Sequence, residues 1–213
     1  MLKQQSHLIL QQYLSKQQNF APKVDLAGFV PETIVVVPSF NEESTLQAIK
    51  SLWQCTLPQC HVAVFVVVNF PERSSASIEE TSLKMLKELT HWAKNHNNSH
   101  IQLHNIYLSQ VPLKKAGVGL ARKTGMDEAI YWFAKNRVNG LILSLDADCL
   151  VEKNYLSEAF RFFDTHGEAK GASIYFEHPV TGNSYSTDTY VAIAQYELHL
   201  RYYVQALRFI GYP

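Results

Sequence analysis

The sequence predicts an α/β fold, a mostly parallel sheet flanked by helices, and three observations predict it. Short apolar runs rich in β-branched residues recur at 33–37 (TIVVV), 62–68 (VAVFVVV) and 141–145 (LILSL). Segments with helical spacing, each of roughly ten or more residues, separate them. The apolar runs are continuous rather than alternating, the pattern of strands covered on both faces.

Each element has its own reason. Residues 1–30 read as a helical extension, with Leu2, Leu8, Ile9, Leu10, Tyr13 and Leu14 as a stripe among glutamines. That stripe would pack on the outside of the domain formed by 31–213, or dock on a partner. Pro22, Gly28 and Pro31 end it. After the first strand, 42–53 is helical, with Asn41 suited to its N-cap and Glu42 and Glu43 to the positive end of its dipole. Residues 77–94 and 117–136 are helices around a weaker strand at 101–108. Residues 154–164 are helical, 172–176 extended, and 188–210 a long helix whose Ile193, Tyr196, Leu200, Tyr203 and Leu207 form a core face. Tyr190, Tyr202, Phe209 and Tyr212 add aromatic surface beyond it.

Hydrophobic residues make 46% and charged residues 18% of the 213, which excludes a disordered chain and allows a core without staples. Lys plus Arg and Asp plus Glu are 19 each, so the basic excess of a nucleic-acid binder is missing. The three cysteines, Cys55, Cys60 and Cys149, make neither a disulfide framework nor a zinc spacing and read as free thiols in a reducing compartment. The N-terminus is too polar for a signal peptide, and no apolar run approaches the roughly 20 residues of a membrane span. The expectation is a cytoplasmic protein, at most peripheral at the inner face of a membrane.

In parallel sheets ligands sit outside the carboxyl ends of the strands. That directs attention to the loops at Pro38, Asn69, Gln110 and Asp146. The third apolar run delivers Asp146 and Asp148, expected to point in different directions, one toward a metal and one toward a hydroxyl. Hard divalent cations such as Mg²⁺ or Mn²⁺ take few protein carboxylates plus phosphate oxygens. A second motif gathers Lys114, Lys115, Arg122 and Lys123 around Gly117, Gly119 and Gly125, with no acid between Val111 and Met126. It suits an anion cradle at a helix start. It is neither the dinucleotide fingerprint, whose third glycine would fall at Arg122, nor a P-loop. The third motif is Pro38-Ser-Phe40-Asn41-Glu42-Glu43, a direct strand-to-helix turn carrying an aromatic.

Taken in order, these motifs resemble those of the family 2 glycosyltransferases of the GT-A fold, which use nucleotide-activated sugars. The residues that carry the resemblance are Pro38, Phe40, Asn41 and Glu42; Gly117, Gly119, Ala121, Arg122 and Gly125; and Asp146 and Asp148. It covers about 33–155. It implies a nucleotide-sugar-binding set of Pro38, Phe40, Glu42, Asn69, Gly117, Arg122 and Asp146. Pro38 and Phe40 would border the base, Arg122 the nucleotide and Asp146 the ribose. Asp148, with Asp146, would hold Mg²⁺ or Mn²⁺ on the diphosphate. The implied reaction moves a sugar from a nucleoside-diphosphate sugar to a glycan, lipid or protein acceptor, with inversion.

There are departures. The family often has an Asp facing the base at the end of the second strand, where this chain has Asn69, a donor as well as an acceptor. Lys123 stands where Asn is usual. No Glu-Asp pair follows Asp148, so the usual catalytic acid is missing and the chain reads as a piece of a longer protein. Glu177 and His178 could substitute as the base, and Asp188 could too, although it suits the cap of the last helix better. Glu197 and His199 would point to different sides of that helix. His91, His96, His100 and His104 read as a polar loop rather than a zinc site. The rival reading is a non-catalytic nucleotide-sugar-binding module on the same fold. A nucleotidyltransferase would want the glycine-basic motif at the first strand, and a dehalogenase-type phosphatase would want its D-x-D there.

Overall fold

A computed structural model describes residues 2–17 and 20–212. It divides into two compact units, Met1–Gly167 and Glu168–Pro213.

The first unit is an α/β layer structure. It comprises α1 (Leu2–Ser15), β1 (Thr33–Ser39), α2 (Thr45–Trp53), β2 (Val62–Pro71), α3 (Ala76–His96), β3 (Ile101–Val111), α4 (Val118–Asn136), β4 (Leu141–Ser144) and α5 (Tyr155–Thr165). The four strands form one all-parallel sheet in the order β3-β2-β1-β4, with Thr33 opposite both Val62 and Leu141. The continuous apolar runs have their physical cause here. Alternate residues of a strand face opposite layers, and both layers are apolar. Val35, Val37, Val64 and Val66 pack with Leu52 of α2, Leu89 of α3 and Leu156 of α5. Ile34, Val36, Phe65 and Val67 pack with Ala129, Trp132 and Phe133 of α4. Each such fully buried side chain contributes about 1.5–3 kcal/mol relative to exposure.

The extension joins this unit. The Tyr13 hydroxyl of α1 donates to Asp127 Oδ1 of α4 at 2.7 Å, and Leu10 packs against the α4-side core. Leu8 and Ile9, expected within the stripe, are exposed; the side chain of Leu2 lies outside the described residues. The following segment is fastened by Glu128, which is buried and accepts the backbone N–H groups of Lys23 and Val24.

Two local expectations are corrected. Asn41 does not cap α2: its backbone is left-handed (φ 49°), a turn conformation asparagine tolerates. Ser44 is the N-cap, and its N–H donates to Glu42 Oε1. The histidine row is not one loop, because α3 continues through His91 and His96, and His104 lies in β3. No group of three or more metal-ligating side chains occurs among the described residues.

The second unit holds an irregular segment and α6 (Thr187–Phe209). Residues 172–176 enter no sheet. Ser186, not Asp188, caps α6 by accepting from Thr189 N at 3.2 Å; Asp188 sits in the first turn, favourable to the dipole. The expected core face of α6 is only partly covered: Ile193, Leu200 and Leu207 are half-buried, Tyr196 and Tyr203 are exposed, and Glu197 is the buried residue. No described helix is long and apolar enough to cross a membrane.

Candidate functional site

Because the strands run parallel, β1, β2 and β4 deliver their carboxyl ends to one edge, and the N-terminal turn of α4 meets them there. A cleft of about 440 Å³ opens at this edge. Pro38, Phe40, Glu42, Asn69, Val118, Ala121, Arg122, Asp146 and Asp148 line it, with Ser39 and Ala147. Four separate stretches of sequence thus converge on one cavity.

Phe40 is 43% exposed, so the ring belongs to the cleft wall and not to the core. Beside it, Glu42 builds the turn. Its Oε1 accepts from the Ser44 N–H (3.2 Å) and lies 2.7 Å from the Ser44 hydroxyl, which is also 3.2 Å from the Ala147 carbonyl. The β1 turn and the D-A-D turn are therefore tied together, and part of the Glu42 carboxylate is committed to that task.

Asn69 lies at the floor, fully buried. Its Nδ2 donates to the Gly117 carbonyl at 2.8 Å, while its Oδ1 is buried without a partner. Gly117 has φ 137°, a conformation that favours glycine, and its carbonyl begins α4 by accepting from Ala121 N. One of the two amide N–H groups of Asn69 is thus committed to Gly117, and its Oδ1 keeps its acceptor capacity.

The basic motif separates in space. Arg122 reaches the cleft, where its Nε donates to Ser144 Oγ at 2.9 Å and its Nη2 to Asp146 Oδ1 at 2.5 Å. Lys123 turns toward α1, pairing with Asp127 and Gln17. Lys114 and Lys115 are exposed and are not cleft-lining residues. Gly125 serves packing: a Cβ there would sit 2.4 Å from Val36 Cγ1.

Asp146 and Asp148 both line the cleft. Leu143, Leu145 and Ala147 are buried while Ser144, Asp146 and Asp148 are exposed. Asp148 lies in the turn after the strand, where the Cys149 N–H donates to the Asp146 carbonyl at 3.1 Å. The alternation also brings Ser144 into the site, a residue that sequence reasoning missed and a period of two could have found. Burial, reinforced by Asp148, pushes the Cys149 thiol up to about 11, so it stays protonated at neutral pH. All three cysteines are free.

Glu177, His178 and Asp188 lie in the second unit. His178 Nδ1 is 2.6 Å from Glu197 Oε1, and its backbone N–H donates to the same oxygen at 3.0 Å. Arg201 Nη2 reaches Glu197 Oε2 at 3.3 Å and the Tyr175 hydroxyl at 2.6 Å. Glu177 is exposed and accepts from the Tyr175 hydroxyl. Glu197 is thus the organising group there, which its isolated place in the sequence did not signal.

No protein-family model matches the chain, and no curated protein is significantly similar to it. Solved structures similar to it include TarS 1–349 of S. aureus, at 17% identity and TM-score 0.42, over 72% of this chain and 43% of that one. The same protein in complex with UDP is similar at 19% and 0.42, over 68% and 38%. In complex with UDP-GlcNAc it is similar at 18% and 0.40, over 68% and 37%. The chain spans less than half the length of these structures. A likeness of this degree leaves function to be argued from the cleft itself.

Proposed function

We propose that this chain is the donor-binding part of a glycosyltransferase, which moves a sugar from a nucleoside-diphosphate sugar to an acceptor hydroxyl. The observation that carries the reading is the convergence of Pro38, Phe40, Asn69, Arg122, Asp146 and Asp148 on one cleft at the carboxyl edge of a parallel sheet. Phe40 and Pro38 offer an apolar wall for a base. Asn69 Oδ1 is positioned to accept an N–H or O–H of the nucleoside. The guanidinium of Arg122 and the start of α4 make the adjoining wall electropositive, suited to phosphate.

The carboxylates fit a hard divalent cation in a restricted way. Asp146 is engaged by Arg122, whereas among the described residues Asp148 has only the weak Cys149 thiol contact at 3.6 Å. Asp148 would hold Mg²⁺ or Mn²⁺ together with phosphate oxygens, and Asp146 would serve Arg122 and the ribose. The cation supplies positive charge to a departing diphosphate.

The test is calorimetric titration of UDP, GDP and their sugar conjugates with and without Mn²⁺. Metal-dependent binding is expected. Failure of every nucleotide to bind the folded protein overturns the reading. Binding with neither donor hydrolysis nor transfer to supplied acceptors favours a non-catalytic module.

A further inference from the structure

We infer that Ser144 is a positioning residue: its hydroxyl orients Arg122 so that one defined edge of the guanidinium faces the nucleotide. The inference rests on the proposed donor-binding reading and adds to it a residue outside the motifs.

Arg122 stands near the start of α4, with its side chain about one-third exposed. An arginine in that state has several rotatable bonds and loses entropy whenever it is held in one place. A single contact to Asp146 would leave the group free to pivot about one N···O axis. The second contact removes that freedom. Ser144 Oγ accepts from Nε at 2.9 Å and Asp146 Oδ1 accepts from Nη2 at 2.5 Å. These donors lie on the same edge of a planar group. With that edge occupied, the Nη1 edge is left to meet acceptor oxygens of a ligand in the cleft that Arg122 lines.

The support for Ser144 is itself rigid. It ends β4, where it stands opposite Val36 of β1 in the register. The following exposed position on the same side is Asp146, so one strand end supplies both partners of the fork.

The experiment compares the full chain with Ser144→Ala and Ser144→Thr. Nitrogen-15 NMR follows the Arg122 Nε–H, assigned by its disappearance in Arg122→Lys. In the original protein this hydrogen is expected to exchange slowly, Ser144→Ala to expose it, and Ser144→Thr to restore its protection. In parallel, UDP is titrated in the presence of Mn²⁺. Ser144→Ala is expected to weaken binding about tenfold, the scale of one hydrogen bond to a charged group, with Ser144→Thr recovering it. Thermal unfolding should not move, because the side chain is exposed and its removal uncovers no core. Unchanged Nε–H exchange or unchanged UDP affinity in Ser144→Ala overturns the inference. If the unsubstituted chain binds no UDP, the donor-binding reading falls separately, and the exchange data still decide whether Ser144 holds Arg122.

Discussion

Asn69 donates from Nδ2 to the carbonyl of Gly117, 48 residues away and 2.8 Å distant, and this bond ties the end of β2 to the start of α4. One amide N–H is committed to the start of α4, which fixes the orientation of the side chain and leaves the second N–H and the Oδ1. The buried Oδ1 has no protein partner.

Asn69→Asp tests that bond. An ionised carboxylate oxygen would face the Gly117 carbonyl, costing about 1–3 kcal/mol at neutral pH. Only the protonated acid can donate there, so the folded-state pKa of the new group is raised. Its stability is present at low pH and lost as pH rises through that raised value. Urea unfolding across the acid-to-neutral range should show the variant recovering as pH falls; a constant deficit would contradict the assignment.

Asp148→Ala removes the free carboxylate of the cleft. We expect the Mn²⁺-dependent part of UDP binding to disappear, metal-free binding to persist, and unfolding to stay unchanged because the residue is exposed. Calorimetry with and without Mn²⁺ reads the first two, and retained metal dependence would remove Asp148 from the site.

Gly125→Ala addresses packing. The new Cβ would lie 2.4 Å from Val36 Cγ1 and 3.1 Å from Val67 Cγ2, both fully buried valines with no room to retreat. A loss of about 1–3 kcal/mol is expected from overpacking, measured by urea unfolding. A neutral outcome would mean that α4 does not press on the sheet at this point.

Glu128→Ala strips the buried acceptor of Lys23 N–H, Val24 N–H and Trp132 Nε1–H. Stranding three donors should cost at least about 3 kcal/mol. Hydrogen exchange of the Lys23 and Val24 amides should rise before the sheet is affected, and preserved protection would argue against the latch.

The hydrogen bond from His178 holds the Glu197 carboxyl below the usual carboxylate range. A depressed folded value means the contact contributes stability above the unfolded pKa of about 4.3 and loses it as pH falls through the folded one. Protection of the His178 amide should therefore decline in acid below about pH 4, and Glu197→Gln should abolish that dependence. An amide equally protected throughout would refute it.

Much of the fold was legible in the sequence. Runs such as VAVFVVV announce strands buried on both faces, because burial depends on each residue's own apolar surface and needs no knowledge of its partner. The placement of Pro38, Asn69 and Asp146 at strand ends followed from the same runs, as did the end of the sheet where a ligand would sit. Helix starts were less legible. Asn41 and Asp188 both have capping chemistry, yet Ser44 and Ser186 occupy the caps, since several small polar residues near a helix start compete and backbone angles choose among them.

Tertiary structure alone decided the partners. It turned Arg122 to Ser144 and Asp146 but its neighbour Lys123 to Asp127, and it brought Asp146 and Asp148 to one cleft. It also tied one Asn69 amide N–H to Gly117, gave Gly125 to the valines of the sheet and made Glu197 the buried centre of the second unit. The physical reason is range. Hydrophobic burial is non-directional and is written in local pattern, whereas a hydrogen bond exists only within a few tenths of an ångström and a limited angle. Residues dozens of positions apart meet those limits only once the chain has folded.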